Sequence, residues 1–304
     1  MKNKSVLIVG CGDLGARAGA ILQEAGWTLT GLRRNTRHLP QGFAGIAADY
    51  AATDAQLSML EALAPDYLIL TLKPSGSGEE GYRAGFSRAM HNVLTGLGEH
   101  RPAGIIMVSS TRVYAESEGG WVEDGSPLAT SDPAALAIID AERQLLASGH
   151  PACVLRCAGI YGDPEGYLLH RIAGGELCSQ TPLRYSNRIH RDDVGGLLAW
   201  LLQQWDRGVA PARTMIAVDN EPAPQFEVEL WLARELGFTG WRTRRATDMR
   251  AGGLRGGGLR GSGLRGADHK RCRNRALQTS GYVLRYPDYR SGYAAVLRDR
   301  PQTR

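Results

Sequence analysis

Apolar residues along the first 200 positions follow two alternating rhythms. Unbroken runs of strand length occur at 5–10, 28–32, 45–48, 67–72, 104–109 and 153–156, and between them apolar side chains return at helical spacing over 14–25, 54–63, 81–97 and 133–147. Unbroken runs suit strands buried on both faces, with helices above and below them. Strand and helix in alternation predict right-handed crossovers and a doubly wound parallel sheet, an α/β fold of the Rossmann type.

Beyond Gly162 the rhythm loosens. "RDDVGGLLAWLLQQW" reads as a helix opened by Asp192 or Asp193, "TMIAVD" as a strand and "PQFEVELWLAREL" as a second amphipathic helix. The expected organisation is a first domain over 1–160 and a smaller C-terminal substrate lobe over 161–304. Within that lobe "AGGLRGGGLRGSGLRG", at 251–266, repeats Gly-Leu-Arg three times. Its glycines make regular structure costly, so a mobile surface loop is expected. Arginine spaced by glycine also suits a nucleic-acid backbone, but no aromatic residue is interleaved for base stacking, and a loop insertion is the preferred reading.

Composition narrows the class without changing the fold. The 304 residues are 43% hydrophobic and 22% charged, the balance of an ordinary globular protein. No run approaches the ~20 apolar residues of a membrane helix, and "MKNK" leads straight into a strand pattern rather than a secretion signal, so a cytoplasmic location is expected. The five cysteines show no metal-ligand spacing, and Cys153 and Cys157 share a strand-like apolar run, so reduced thiols and no metal are expected. The net charge of +5 comes almost wholly from arginine and decides nothing about partners.

Chemistry enters at the first turn. Gly10, Gly12 and Gly15 form GxGxxG between a strand pattern and a helix pattern, so a diphosphate would lie on amide groups at the positive end of that helix, beside Asp13 and Leu14. At the end of the second strand an Asp or Glu would bind the ribose hydroxyls of NAD. Arg33 and Arg34 stand there instead, which favours the 2′-phosphate of NADP over NAD. Asp49 after the third strand, Leu72 and Lys73 after the fourth and Ser109 at the end of the fifth complete the expected cofactor-binding set. Asp49 also suits a turn, and Lys73 a solvated loop.

With "GCGDLG", "SSTRVY", "LRCAGIYG", "RIHRDDV" and "AVDNEP" in this order, the chain resembles the extended and atypical branches of the short-chain dehydrogenase/reductase superfamily, and most of all the proteins called NAD-dependent epimerase/dehydratase. The resemblance implies that Ser110 donates a hydrogen bond to a substrate oxygen. It also implies a Tyr and a Lys four apart on the following helix, which together exchange a proton with the substrate hydroxyl. Matching the Glu that commonly follows them to Glu142 puts those positions at Ala134 and Ile138, and no Tyr or Lys occurs anywhere from 125 to 146. The acid–base pair is therefore missing.

Tyr114 and Tyr161 are the candidate substitute acids, and both also suit packing. His190 sits near the expected cleft, either as a catalytic base or as a histidine satisfied by backbone at a helix start, while Arg184, Arg188 and Arg191 suit an anionic substrate. Asp192 and Asp193 suit caps, and Glu142 suits a structural partner across the fold. The expectation is an NADP-binding oxidoreductase or epimerase/dehydratase-like enzyme acting on a small polar or anionic substrate. The alternative is a non-catalytic NADP-sensing regulator that works through protein partners.

Overall fold

The computed structural model describes residues 3–238, 240–243 and 269–300; the Gly-Leu-Arg repeat at 251–266 lies outside them. Seven strands form one parallel sheet: β1 (Ser5–Val9), β2 (Thr28–Arg33), β3 (Ala44–Ala47), β4 (Tyr67–Leu70), β5 (Gly104–Ser110), β7 (Ala152–Cys157) and β12 (Thr214–Ala217), in the order β12-β7-β5-β4-β1-β2-β3. Short strands pair beside it: β6 (Trp121–Val122) with β15 (Arg271–Cys272), β8 (Gly159–Tyr161) with β11 (Arg188–His190), β9 (Glu176–Leu177) with β14 (Arg242–Thr243), and β10 (Tyr185–Ser186) with β13 (Ala223–Pro224). The helices are α1 (Asp13–Glu24), α2 (Met59–Leu63), α3 (Gly78–Tyr82), α4 (Ala89–Gly96), α5 (Pro133–Ala147), α6 (Tyr167–Ala173), α7 (Arg191–Asp206), α8 (Gln225–Glu235), α9 (Arg275–Thr279) and α10 (Tyr289–Arg298).

Apart from the run of β3, which is largely exposed at the sheet edge, the apolar runs are buried on both faces. Along β1, Leu7 and Val9 face a core that includes Met90 and Val93 of α4 and Ile138 and Leu145 of α5. Val6 and Ile8 face the other, with Leu14, Ala18 and Leu22 of α1 and Val194, Leu198 and Leu202 of α7. Each such side chain, fully buried, stabilises the fold by ~1.5–3 kcal/mol. A third cluster, with Leu169, Ile172, Leu177, Val228, Leu232, Tyr293 and Val296, joins α6, α8 and α10.

Three elements differ from the sequence expectation. The "TMIAVD" strand, expected in the smaller lobe, is the seventh strand of the main sheet, with Thr214 to Ala217 in register with Val154 to Cys157. Met215 and Ala217 enter one core and Ile216 the other, so this edge strand is buried on both faces, unlike the opposite edge strand β3. The helix expected over 54–63 shrinks to α2, and the turn ahead of it is held by Asn92, whose Nδ2 donates to the Tyr50 and Ala52 carbonyls, both at 2.9 Å. The helix expected over 81–97 is α3 and α4 joined by a π turn at Arg83–Arg88. Within that turn Gly85 touches the loop after β4 so closely that a Cβ would lie 2.0 Å from the Lys73 carbonyl oxygen. Among the described residues no helix is long and apolar enough to cross a membrane.

Candidate active site

Each glycine of the first turn meets a separate demand. Gly10 has a φ of +76°, and a Cβ there would come within 2.6 Å of the Thr71 carbonyl oxygen. The Thr71 hydroxyl donates to the Gly10 carbonyl at 2.8 Å, and its amide to Val9 at 2.9 Å, which stitches the turn to the end of β4. Gly15 lets α1 lie on the sheet, since a Cβ would be 2.6 Å from Ile8 Cγ2. Gly12 differs from both. A Cβ there would meet only the Gly10 carbonyl oxygen, at 3.6 Å, and Gly12 caps α1 without any side-chain hydrogen bond to its first amides. An open face over uncapped helix amides fits the diphosphate of a dinucleotide.

Around this turn the predicted cofactor residues divide. Asp13 is exposed on the first turn of α1 and bonds Arg17 Nε at 3.1 Å, with Arg191 Nη1 3.9 Å away; Leu14 is buried in the core. Arg17 also reaches Asp192 on α7, so the two helix starts are bridged. Arg33 Nη1 donates to the Cys11 carbonyl at 3.0 Å and to His38 at 3.4 Å, whereas Arg34 is exposed and 3.9 Å from Asp49. Asp49 also accepts from the Ala51 amide at 3.0 Å, the turn role its position suits. Leu72 is buried and Lys73 exposed in the loop after β4.

At the end of β5 the neighbouring serines part company. Ser109 turns inward and donates to Glu142, a carboxylate 2% exposed that pairs with Arg156 Nη2 at 2.7 Å; Glu142 is thus the structural partner its sequence position suggests. Ser110 stays half-buried and accepts from the Arg112 amide at 3.2 Å. The Arg112 guanidinium then runs to Asp132, the cap of α5, with bonds of 2.6 and 3.1 Å, and to the hydroxyl of Tyr82 on α3 at 3.5 Å. Ala134 and Ile138, where the resemblance expects the Tyr and Lys, are both buried on α5.

The tyrosines singled out as substitute acids do not reach this cleft. Tyr114 is 2% exposed; its hydroxyl donates to the Asp124 carbonyl at 3.3 Å and accepts from Arg156 at 3.1 Å, and burial pushes it up to about 12. The Tyr161 hydroxyl is buried against Gly292 of α10, where a Cβ would lie 1.7 Å from it. Burial raises its pKa strongly, and a phenol so placed is a core group.

His190 caps α7, its Nδ1 accepting from the Asp192 amide at 3.2 Å, and its ring lies between Tyr161 and Tyr286. Burial lowers it to about 4, partly offset by Asp192, so the imidazole is neutral near neutral pH. Asp193 is no cap. It is fully buried and accepts from the amides of Arg285 at 2.7 Å and Tyr286 at 3.0 Å and from the Tyr282 hydroxyl at 3.2 Å. Behind His190 lie Arg188, 4% exposed, and Asp219, 1% exposed, with Arg188 Nη1 and Asp219 Oδ2 unpartnered. Burial raises Asp219 to about 7, against the lowering field of Arg188. Sequence reading missed Tyr82, Asp132's bond to Arg112 and the buried Asp219, since each gains its meaning from a partner distant in sequence.

No family model and no curated protein matches the chain. Among solved structures, one assigned as an NAD-dependent epimerase/dehydratase from Methylobacillus flagellatus is 29% identical with a TM-score of 0.75, over 98% of this chain and 99% of that one. UDP-glucuronic acid 4-epimerase from Bacillus cereus in complex with NAD is 14% identical with a TM-score of 0.74, over 97% of this chain and 99% of that one. UDP-glucose 4-epimerase from Thermotoga maritima is 12% identical with a TM-score of 0.74, over 97% of each chain. Sheet, glycine turn and these likenesses define a Rossmann-type α/β protein. Its structural neighbours are NAD-dependent epimerase/dehydratase and UDP-sugar epimerase proteins, those of the extended and atypical short-chain dehydrogenase/reductase kind.

Proposed function

We propose that the protein is an epimerase/dehydratase-like oxidoreductase that binds NADP and acts on a small polar or anionic substrate. The observation that carries this reading is the open face of Gly12 over the uncapped amides of α1, with Gly10 and Gly15 packed so tightly that no side chain fits. The NAD held by the Bacillus cereus neighbour supports a nicotinamide dinucleotide of one kind or the other. Arg33 and Arg34, in place of an acidic residue at the end of β2, favour the phosphorylated one.

When bound, the nicotinamide would supply hydride transfer. This chain's own groups would then orient the substrate: Ser110 at the end of β5 donates to an oxygen, and Arg184 and Arg191 offer charge to an anionic group. Calorimetric titration of the nucleotide-free protein with NADPH, NADP, NADH and NAD tests the reading. Tight binding of the phosphorylated pair is expected, followed by hydride exchange with a panel of small carbonyl acids and hydroxy acids. Absence of binding by all four overturns it.

A further inference from the structure

We propose that Tyr82, held by Arg112, is the group that exchanges a proton with the substrate oxygen in this cleft. The inference rests on the oxidoreductase reading above. Tyr82 is half-buried with its hydroxyl facing the Arg112 guanidinium, whereas Tyr114 is almost wholly buried and the Tyr161 hydroxyl is sealed in the core. The Arg112 guanidinium lies 5.4 Å from its ring centre, with Nη1 3.5 Å from its oxygen. That separation is long for a hydrogen bond, but catalytic contacts in ligand-free enzymes commonly tighten only when substrate arrives.

Arg112 is fixed for the purpose. Two bonds to Asp132 hold its guanidinium, and its amide donates to Ser110 Oγ. One residue therefore ties together the serine at the end of β5, the cap of the helix that lacks the Tyr and Lys, and the tyrosine on α3. Ser110 ends the parallel strand β5, on the side where α/β folds bind their ligands. A fixed cation beside a phenol oxygen stabilises the negative charge left when the proton departs.

The step balances. In reduction, the carbonyl carbon receives hydride from a reduced nicotinamide dinucleotide, which becomes oxidised. The carbon–oxygen π pair moves to oxygen, and that oxygen takes the phenolic proton of Tyr82. The phenolate, beside Arg112, regains a proton from water. Oxidation of a carbinol is the reverse.

Tyr82→Phe, Arg112→Gln and Arg112→Lys test the proposal, with Tyr114→Phe as control. Dinucleotide affinity of Tyr82→Phe is expected to be unchanged while hydride exchange falls by ~10²–10⁴-fold, with Tyr114→Phe much less affected. A second readout needs no substrate: nitration of Tyr82 by tetranitromethane, which attacks the phenolate, measured by peptide mass spectrometry against the exposed Tyr167 as internal reference. Arg112→Gln should slow Tyr82 nitration several-fold and Arg112→Lys restore much of the rate. Nitration unchanged in Arg112→Gln, or full exchange activity in Tyr82→Phe, overturns the proposal while leaving dinucleotide binding intact. A wild-type protein that binds no dinucleotide overturns the parent reading along with it.

Discussion

Arg33 and Arg34 are adjacent in sequence, yet the fold gives them different work. Arg33 is already bonded to the carbonyl of Cys11 in the glycine turn, whereas Arg34 is exposed beside Asp49, a screened pair that stabilises little. Arg34→Ala should therefore weaken NADP binding about tenfold or more, the scale of one charged hydrogen bond, and leave NAD untouched. Arg33→Ala should weaken both, because the turn loses its brace; calorimetry with the two dinucleotides separates these outcomes. Both arginines were legible as a cationic replacement for an acidic residue, but their division of labour depends on a carbonyl 22 residues away. The same holds for Ser109 and Ser110, adjacent residues that the pleat sends to opposite sides. Glu142→Ala would strand the buried Arg156 charge, and a loss of ~3–5 kcal/mol in denaturant unfolding is expected.

At the scale of elements, local signals were read well and distant ones poorly. α5 begins and ends where the sequence predicts, because Asp132 accepts from the Ala134 amide and Pro133 opens the helix, all within three residues. The π turn between α3 and α4 answers instead to the loop after β4, which no local pattern announces. Gly85→Ala would drive a Cβ into that loop, so destabilisation of ~1–3 kcal/mol is expected. The glycines of the first turn should separate in the same manner. Gly15→Ala forces α1 away from Ile8 and should lower the melting temperature, while Gly12→Ala, open on its outer face, should melt like wild type and bind dinucleotide poorly.

Across the whole molecule, two buried groups pull stability in opposite directions with pH. Asp219 titrates at about 7 in the fold against 3.8 when free, so its contribution is full below about pH 4 and is lost as pH rises through 7. His190, lowered from 6.5 to about 4, contributes fully above 6.5 and loses that contribution as pH falls through 4. Asp219→Asn should accordingly raise the melting temperature at about pH 8 and match wild type near pH 4, as melts across that window would reveal. Neither residue was legible as a stability group, because burial is a property of the finished fold. The seventh strand was misplaced for a related reason: its apolar alternation was clear, but which sheet it joins is settled only by the whole.

Asp193 carries one consequence further. With Asn187, whose side chain donates to the Lys270 carbonyl at 2.9 Å and accepts from the Cys272 amide at 2.8 Å, it fastens residues 269–300 to the other described residues. The gene could then be split between codons 243 and 269, and the two polypeptides, produced together, should find one another and purify as a single particle.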